Sequence, residues 1–173
     1  MRGIMLNDVI VGNVCSLLAM VTDSISGTRK KRNEILGFQT LSQVFYGVGS
    51  TILKGYSSVA QNIAGILRNL AVMRDIKSKV VEWALVAVGV VLGVLFNNRG
   101  LLGWLPIVAN FEYAVSMFKF KDNEKGLKTA FTLNMTMYSI FNFFIQNYVG
   151  GITNMVTAVT TAVSLIKELK GSK

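Results

Sequence analysis

The chain has 173 residues, 51% of them hydrophobic, and a formal net charge of +9. It has no histidine and one cysteine, Cys15, which excludes an internal disulfide and every metal site built on His or Cys ligands. No Ser-His-Asp or Cys-His nucleophile can be assembled, and no phosphate-binding glycine-rich loop is present. The composition therefore favours a protein that is not an enzyme and predicts no metal and no cofactor.

Seven apolar stretches fill almost the whole chain, and most approach the roughly 17–25 residues that a helix needs to cross a bilayer. Lipid admits only helices and closed barrels, and the ~10-residue alternating segments of a barrel are missing. The pattern predicts an all-α membrane protein with seven transmembrane helices and no soluble domain. We expect the first stretch to be a span rather than a cleaved signal, because Asn7 and Asp8 interrupt its start and no A-x-A site follows. The stretches are 5–22, 35–53, 57–73, 80–97, 101–118, 127–146 and 149–166.

The basic residues predict the orientation and exclude one class of partner. Fourteen of the 18 Lys and Arg residues lie in every second gap between stretches, and three lie in the opposite gaps. By the positive-inside rule, the N-terminus is outside and the C-terminus is cytoplasmic. We therefore expect the lipid bilayer, and no nucleic acid, as a partner. The fourteen lie at 27–33, at 74–79, at 119–128 and after 166, and the three are Arg2, Lys54 and Arg99.

An internal repeat appears when the sequence is shifted by 92 residues against itself. The shift superimposes stretches 1–3 on stretches 5–7 without a gap from residue 24 to residue 76 and leaves stretch 4 unpaired. Both trios have the same predicted orientation, as in parallel repeats. The predicted units are a first bundle at 1–76, a linker helix at 77–98 and a second bundle at 99–173. The identities are Ser24/Ser116, Thr40/Thr132, Leu41/Leu133, Tyr46/Tyr138, Tyr56/Tyr148 and Asn62/Asn154.

This plan of three, one and three helices resembles the SWEET sugar transporters and their relatives, the PQ-loop proteins and the nicotinamide riboside carriers. Within that superfamily, the short chain and the segment Q-N-I-A-G-I-L-R-N at 61–69 resemble the YgjV family of the bacterial inner membrane. The resemblance covers nearly the whole chain and implies a multi-pass protein of the inner membrane. SWEET transporters carry prolines in helices 1, 2, 5 and 6, whereas this chain has only Pro106. A four-proline hinge is therefore not implied here.

Two matched pairs of residues are the candidate substrate site. The resemblance implies that Asn62 and Asn154 hold the substrate, since SWEET transporters use a related asparagine pair on the same two helices. Tyr46 and Tyr138 lie in the middle of helices 2 and 6, where the family places aromatic residues around the substrate. A carboxamide and a phenol both suit a hydroxylated solute. The alternative is that the asparagines join helices and the tyrosines simply pack.

Arg68 and Glu112 are predicted to be the only charges well inside the stretches, at about the same depth. An unpaired charge at membrane depth is costly, so we expect an ion pair or a place along the inner half of the pathway, as a gate. Static pairing, substrate contact and proton binding by Glu112 all stay open.

The predicted function is transport of a small neutral solute, similar to a sugar, a nucleoside or a vitamin, by alternating access. Its partners would be that solute, the lipid and, as a further candidate, a second copy of the chain. The main alternative is a membrane scaffold or assembly partner that transports nothing. A pore ranks third, because the polar residues are few and clustered.

Overall fold

The computed structural model describes residues 5–29, 31–76, 78–119 and 123–171. Within these residues the chain forms seven α-helices, one short 3₁₀ turn at Gly100–Gly103 and no strand. The prediction of an all-helical chain with seven helices is confirmed. The helices are α1 (Leu6–Gly27), α2 (Arg32–Ile52), α3 (Tyr56–Met73), α4 (Lys79–Leu95), α5 (Trp104–Lys119), α6 (Glu124–Phe144) and α7 (Tyr148–Gly171).

Two helices are long and apolar enough to cross a membrane by length and composition alone. They are α1, over Leu6–Ser26, and α7, over Tyr148–Lys167. By comparison, α4 and α5 have only 17 and 16 residues, and α2 and α6 begin with charged turns. The prediction that all seven helices span the bilayer, with a cytoplasmic C-terminus, therefore stays a prediction.

The helices other than α4 form a closed circuit of contacts. Each packs on its neighbours in the order α1, α2, α3, α5, α6 and α7, and α7 returns to α1. Helix α4 lies outside this circuit, against α3 and α5. The predicted units 1–76 and 99–173 thus meet along two helix pairs, α3 with α5 and α1 with α7.

Side-chain contacts show the relative direction of the two helices in each of these pairs. Leu105 at the start of α5 packs on Leu53 just before α3, and further along both helices the Nδ2 of Asn110 donates to Oε1 of Gln61 at 3.0 Å, so α3 and α5 are parallel. The start of α7 contacts Asn13, and Thr153 further along α7 contacts Met20, so α1 and α7 are parallel too. We call the end where α1, α3, α5 and α7 begin the cap end. The opposite end, where these helices finish, is the basic end.

The cap end is closed by a buried apolar cluster, which we call the cap cluster. Its centre is the fully buried side chains of Leu53, Phe141 and Ile145, against which Val9 and Leu105 pack. The cluster joins the turn after α2 to the end of α6, and so brings the two trios together.

The turns at the cap end are held by side chains from distant parts of the chain. The guanidinium of Arg99 donates to the carbonyl oxygens of Leu53 at 2.8 Å and of Lys54 at 3.0 Å. In the turn between α6 and α7, the carbonyl of Gln146 accepts a bond from the Nδ2 of Asn13 at 2.8 Å. The Oδ1 of Asn13 accepts a bond from the amide of Val149 at 2.8 Å. Backbone groups that the helix ends leave unpaired are thereby satisfied.

The same turn geometry occurs at three positions, after α2, α3 and α6, and the first and the last of these are 92 residues apart. Lys54 and Gln146 both have a positive φ, 55° and 63°, directly after α2 and α6. In each turn an amide closes a bond five residues back, from Gly55 to Ser50 at 2.7 Å and from Asn147 to Asn142 at 2.8 Å. This is the Schellman arrangement that ends a helix. Helices α2 and α6 also begin and end 92 residues apart, at 32 and 124 and at 52 and 144.

Candidate functional site

Three helices carry a stripe of side chains at seven-residue spacing, and each stripe begins in the cap cluster. Two helical turns take about 7.2 residues, so the members of a stripe lie on one face. The first members meet in the cap cluster, and the later ones follow on the same helix faces towards the basic end. The stripes are Val9, Ser16 and Asp23 on α1, Leu53, Tyr46 and Gln39 on α2 and its end, and Ile145, Tyr138 and Phe131 on α6 and its end.

Tyr138 lies at one end of a polar chain that crosses four helices. Its hydroxyl is beside the carboxamide of Asn110 on α5. Asn110 donates to Gln61 on α3, and the Nε2 of Gln61 donates to the carbonyl of Gly89 on α4 at 2.8 Å. The chain connects the predicted second bundle with the first bundle and with the linker helix.

Tyr46 lies in the opposite trio, near an acidic residue of α1. The carboxylate of Asp23 interacts electrostatically with the Tyr46 hydroxyl and lies beside the hydroxyl of Ser42. Tyr138 has a basic neighbour instead, since the guanidinium of Arg68 acts on its hydroxyl. Each tyrosine of the predicted pair therefore has one charged side chain nearby, of opposite sign in the two cases.

Asn62 lies in the interface between α2 and α3, where small and polar residues pair turn by turn. Its Cβ faces Gly47, and its Nδ2 is buried without a hydrogen-bond partner. The Oε1 of Gln43, one turn away on α2, is also buried without a partner. Both atoms therefore have hydrogen-bonding capacity left over. The pairs along this interface are Ser50 with Ser58, Gly47 with Asn62, Gln43 with Gly65, and Thr40 with Asn69.

Asn154 faces the interior from α7. Its neighbour Thr153 points to α1, where its hydroxyl contacts the sulfur of Met20 at 3.3 Å, and Gly151 points to α6, where its carbonyl accepts from Ser139 at 2.9 Å. Successive residues are about 100° apart around a helix axis, so the side chain of Asn154 points between the directions of α1 and α6. No hydrogen bond joins Asn154 to Asn62, Tyr46 or Tyr138, all of which lie in the described part of the chain.

Arg68 and Glu112 do not form a salt bridge, although both lie within the described residues. The bond between Gln61 and Asn110 places Arg68 level with position 117 of α5, so Glu112 is about 7.5 Å away along the helix axis. Glu112 instead accepts a bond from Ser116 at 3.0 Å and has its second oxygen buried without a partner. Arg68 is exposed and acts electrostatically on Tyr113 and Tyr138.

An open cavity of about 240 Å³ lies towards the basic end. Tyr113 of α5 and Leu127, Lys128 and Phe131 of α6 line it. The rings of Tyr113 and Phe131 are 5.7 Å apart and tilted by 52°. The cavity is a shallow groove between α5 and α6, and none of its lining residues lies on another helix. No cluster of three potential metal ligands occurs among the residues that the structure describes.

Sequence reasoning missed the place of Asp23 and the role of Gln61. The first apolar stretch was predicted to end at residue 22, but α1 continues to Gly27 and includes Asp23. The seven-residue spacing from Val9 through Ser16 was the signal that places Asp23 on the same face of α1 as these two residues. For Gln61, no sequence signal identifies Gly89 as its acceptor, because that bond depends on where α4 docks.

The family model Imp-YgjV, described as a bacterial inner membrane protein, matches residues 10–171. No curated protein and no solved structure matches the chain.

Proposed function

The chain belongs to the YgjV family of bacterial inner membrane proteins, and from that premise we propose that it transports a small polar solute without net charge. In this proposal all seven helices cross the bilayer, and the C-terminus is cytoplasmic. The trios α1–α3 and α5–α7 rock against one another around an interior site, and α4 links them. The solute is similar in class to a sugar, a nucleoside or a vitamin.

A parallel repeat like that of the SWEET family is part of this proposal, and three features support it. Helices α2 and α6 are displaced by the same 92 residues at both ends, and the turns at Lys54 and Gln146 share one geometry. The parallel pairs α1 with α7 and α3 with α5 are compatible with two trios of one orientation.

The observation that carries the proposal is a set of buried polar atoms between the helices that lack hydrogen-bond partners. They are the Nδ2 of Asn62 and the Oε1 of Gln43 in the interface between α2 and α3, and one carboxylate oxygen of Glu112 on α5. Buried polar atoms normally have partners, and a polar solute bound between the helices would supply them.

The interior residues take different roles in this proposal. Tyr46 and Tyr138 provide flat faces and hydroxyls to the solute, and Asn154 provides a carboxamide. Asn62 takes part through its unpartnered Nδ2. Arg68 stays a candidate gate at the basic end, where it lies close to Tyr138 and Tyr113.

Uptake into liposomes that contain the purified full chain tests the proposal. The solutes are radiolabelled glucose, uridine, nicotinamide and a mixture of amino acids without net charge, each compared with protein-free liposomes. We expect saturable uptake of at least one solute, and uptake reduced about tenfold in Asn154→Ala, Asn62→Ala and Tyr138→Ala, because each loses a hydrogen bond to the solute. The matched control is Asn33→Ala, at an exposed position in the first turn of α2.

Each result bears on one part of the proposal. Absence of uptake for the whole set favours a scaffold or assembly partner. Uptake that never saturates favours a pore. If uptake is saturable but is unchanged in Asn62→Ala, Asn154→Ala and Tyr138→Ala, the protein is a transporter and the assigned site is wrong.

A further inference from the structure

An apolar groove of about 210 Å³ lies between α3 and α4. At the cap end it is lined by Tyr56, the first residue of α3, and by Phe96, which directly follows α4. It continues along α3 to Ile63, about 10 Å further along the helix axis. Helix α4 lies outside the helix circuit, and Ile63 and Phe96 are both exposed. The groove therefore opens to the surroundings of the protein and not to the interior between the trios.

The polar side chains of the groove are at its cap end. Thr51 and Tyr56 carry the hydroxyls of the lining, whereas Val59, Ala60 and Leu92 continue it as an apolar channel. A ligand that fits this lining has a polar group at the cap end and an apolar chain that extends from it towards the middle of α3. This is the form of an amphiphile.

Two basic residues lie beside the polar end of the groove. Lys54 lies in the turn that joins Thr51 to Tyr56, both of which line the groove. The guanidinium of Arg99 is bound to the same turn, where it donates to the carbonyls of Leu53 at 2.8 Å and of Lys54 at 3.0 Å. Two positive charges are therefore held within one turn of the chain.

The surroundings of these two charges favour an anion. The carbonyls take two of the five N–H donors of a guanidinium, and Arg99 is only half-buried, so it can bind an anion as well. Among the described residues, the acidic side chain of the cap end is Asp8. It lies on α1, which does not line the groove, and accepts a bond from the amide of Met5 at 3.0 Å.

We infer that the groove binds an anionic phospholipid of the surrounding bilayer, with one acyl chain along α3 and the phosphate beside Lys54 and Arg99. Basic sites between membrane helices bind anionic headgroups, and a guanidinium matches the geometry of a phosphate. A second copy of the chain could fill the apolar part but would place no phosphate beside the two charges. The inference rests on the part of the proposed function in which α3 and α4 cross the bilayer, and not on transport.

Titration of the purified full chain in detergent with phosphatidylglycerol, followed by native mass spectrometry, tests the inference. Phosphatidylethanolamine, which has no net charge, is the comparison. We expect phosphatidylglycerol to bind more tightly. Lys54→Gln and Arg99→Gln should each weaken its binding about fivefold, because each removes one positive charge beside the phosphate. Val59→Phe should weaken the binding of both lipids, because the larger side chain fills the groove.

The controls are matched in charge and in helix. Arg74→Gln removes an exposed positive charge at the other end of α3. Leu70→Phe enlarges an exposed side chain on the same face of α3, about two turns beyond Ile63. Both should leave lipid binding unchanged. Thermal unfolding without added lipid identifies a variant that has lost its fold, and Phe96→Ala, at an exposed position, is then the second groove variant.

Three results would overturn the inference. The first is equal binding of phosphatidylglycerol by the unchanged chain, Lys54→Gln and Val59→Phe. The second is equal binding of the two lipids by the unchanged chain. The third is a dimer that Val59→Phe dissociates, which would identify a second copy as the occupant. None of the three bears on solute uptake, and selective binding of phosphatidylglycerol without uptake of any solute would support the lipid site while contradicting the proposed transport.

Discussion

Three residues that lack the freedom of glycine adopt a positive φ directly after helices. They are Lys54 at 55°, Asp75 at 53° and Gln146 at 63°. A left-handed conformation costs a residue with a side chain roughly 1–2 kcal/mol, which is why glycine usually occupies this position. The carbonyl of Lys54 accepts bonds from Asn98 and Arg99, and the carbonyl of Gln146 accepts a bond from Asn13. These bonds hold both turns in the left-handed conformation.

Replacing Gln146 with glycine should therefore stabilise the protein. The change relieves the left-handed strain and keeps the carbonyl that Asn13 binds. We expect the free energy of unfolding to rise by about 0.5–1 kcal/mol, after the entropy that glycine adds to the unfolded chain is subtracted. Thermal unfolding in detergent measures this, and Gln146→Ala, which keeps the strain, is the control. A lower midpoint for Gln146→Gly than for the unchanged chain would contradict the prediction.

At the scale of elements, α4 docks through two glycines one turn apart. The side chain of Gln61 enters the space that Gly89 and Gly93 leave open, and it donates to the carbonyl of Gly89. A Cβ on Gly93 would lie 2.5 Å from the Nε2 of Gln61 and 2.7 Å from Ile107. Small residues allow this close approach between helices in membrane proteins.

Gly93→Ala should therefore separate α4 from α3 and α5. We expect a loss of about 1–3 kcal/mol, as for overpacking in a core, and a lower midpoint of thermal unfolding. Gly37→Ala is the matched control, because a Cβ on Gly37 of α2 meets nothing within 4 Å. That substitution should be neutral or stabilise the helix by about 0.5–1 kcal/mol. Equal effects of the two substitutions would argue against the glycine docking of α4.

At the scale of the whole molecule, the distribution of basic residues along the sequence predicts an orientation. Fourteen of the 18 Lys and Arg residues lie in every second gap between the apolar stretches, and three lie in the opposite gaps. Retention of positive loops in the cytoplasm should therefore place the cap cluster at the outer face of the membrane.

Accessibility of single cysteines in a Cys15→Ser background measures this orientation. A membrane-impermeant maleimide added to intact spheroplasts should label Met5→Cys, at the exposed start of α1. Asn33→Cys, at the exposed start of α2, should react only after the membrane is permeabilised. Labelling of the two in the reverse order would invert the predicted topology.

The seven helices could be predicted from the amino-acid sequence, because apolar length and helical period are local properties of the chain. The stretch at 57–73 matches α3 almost residue for residue, whereas the stretch at 5–22 stops before Asp23, since a charge interrupts an apolar pattern even when the helix continues. The contacts between polar atoms could not be predicted in this way. The bond of Gln61 to Gly89, the separation of Arg68 from Glu112 and the approach of Asp23 to Tyr46 all depend on the register between helices. Register is a property of packed pairs, and a single helix does not encode it.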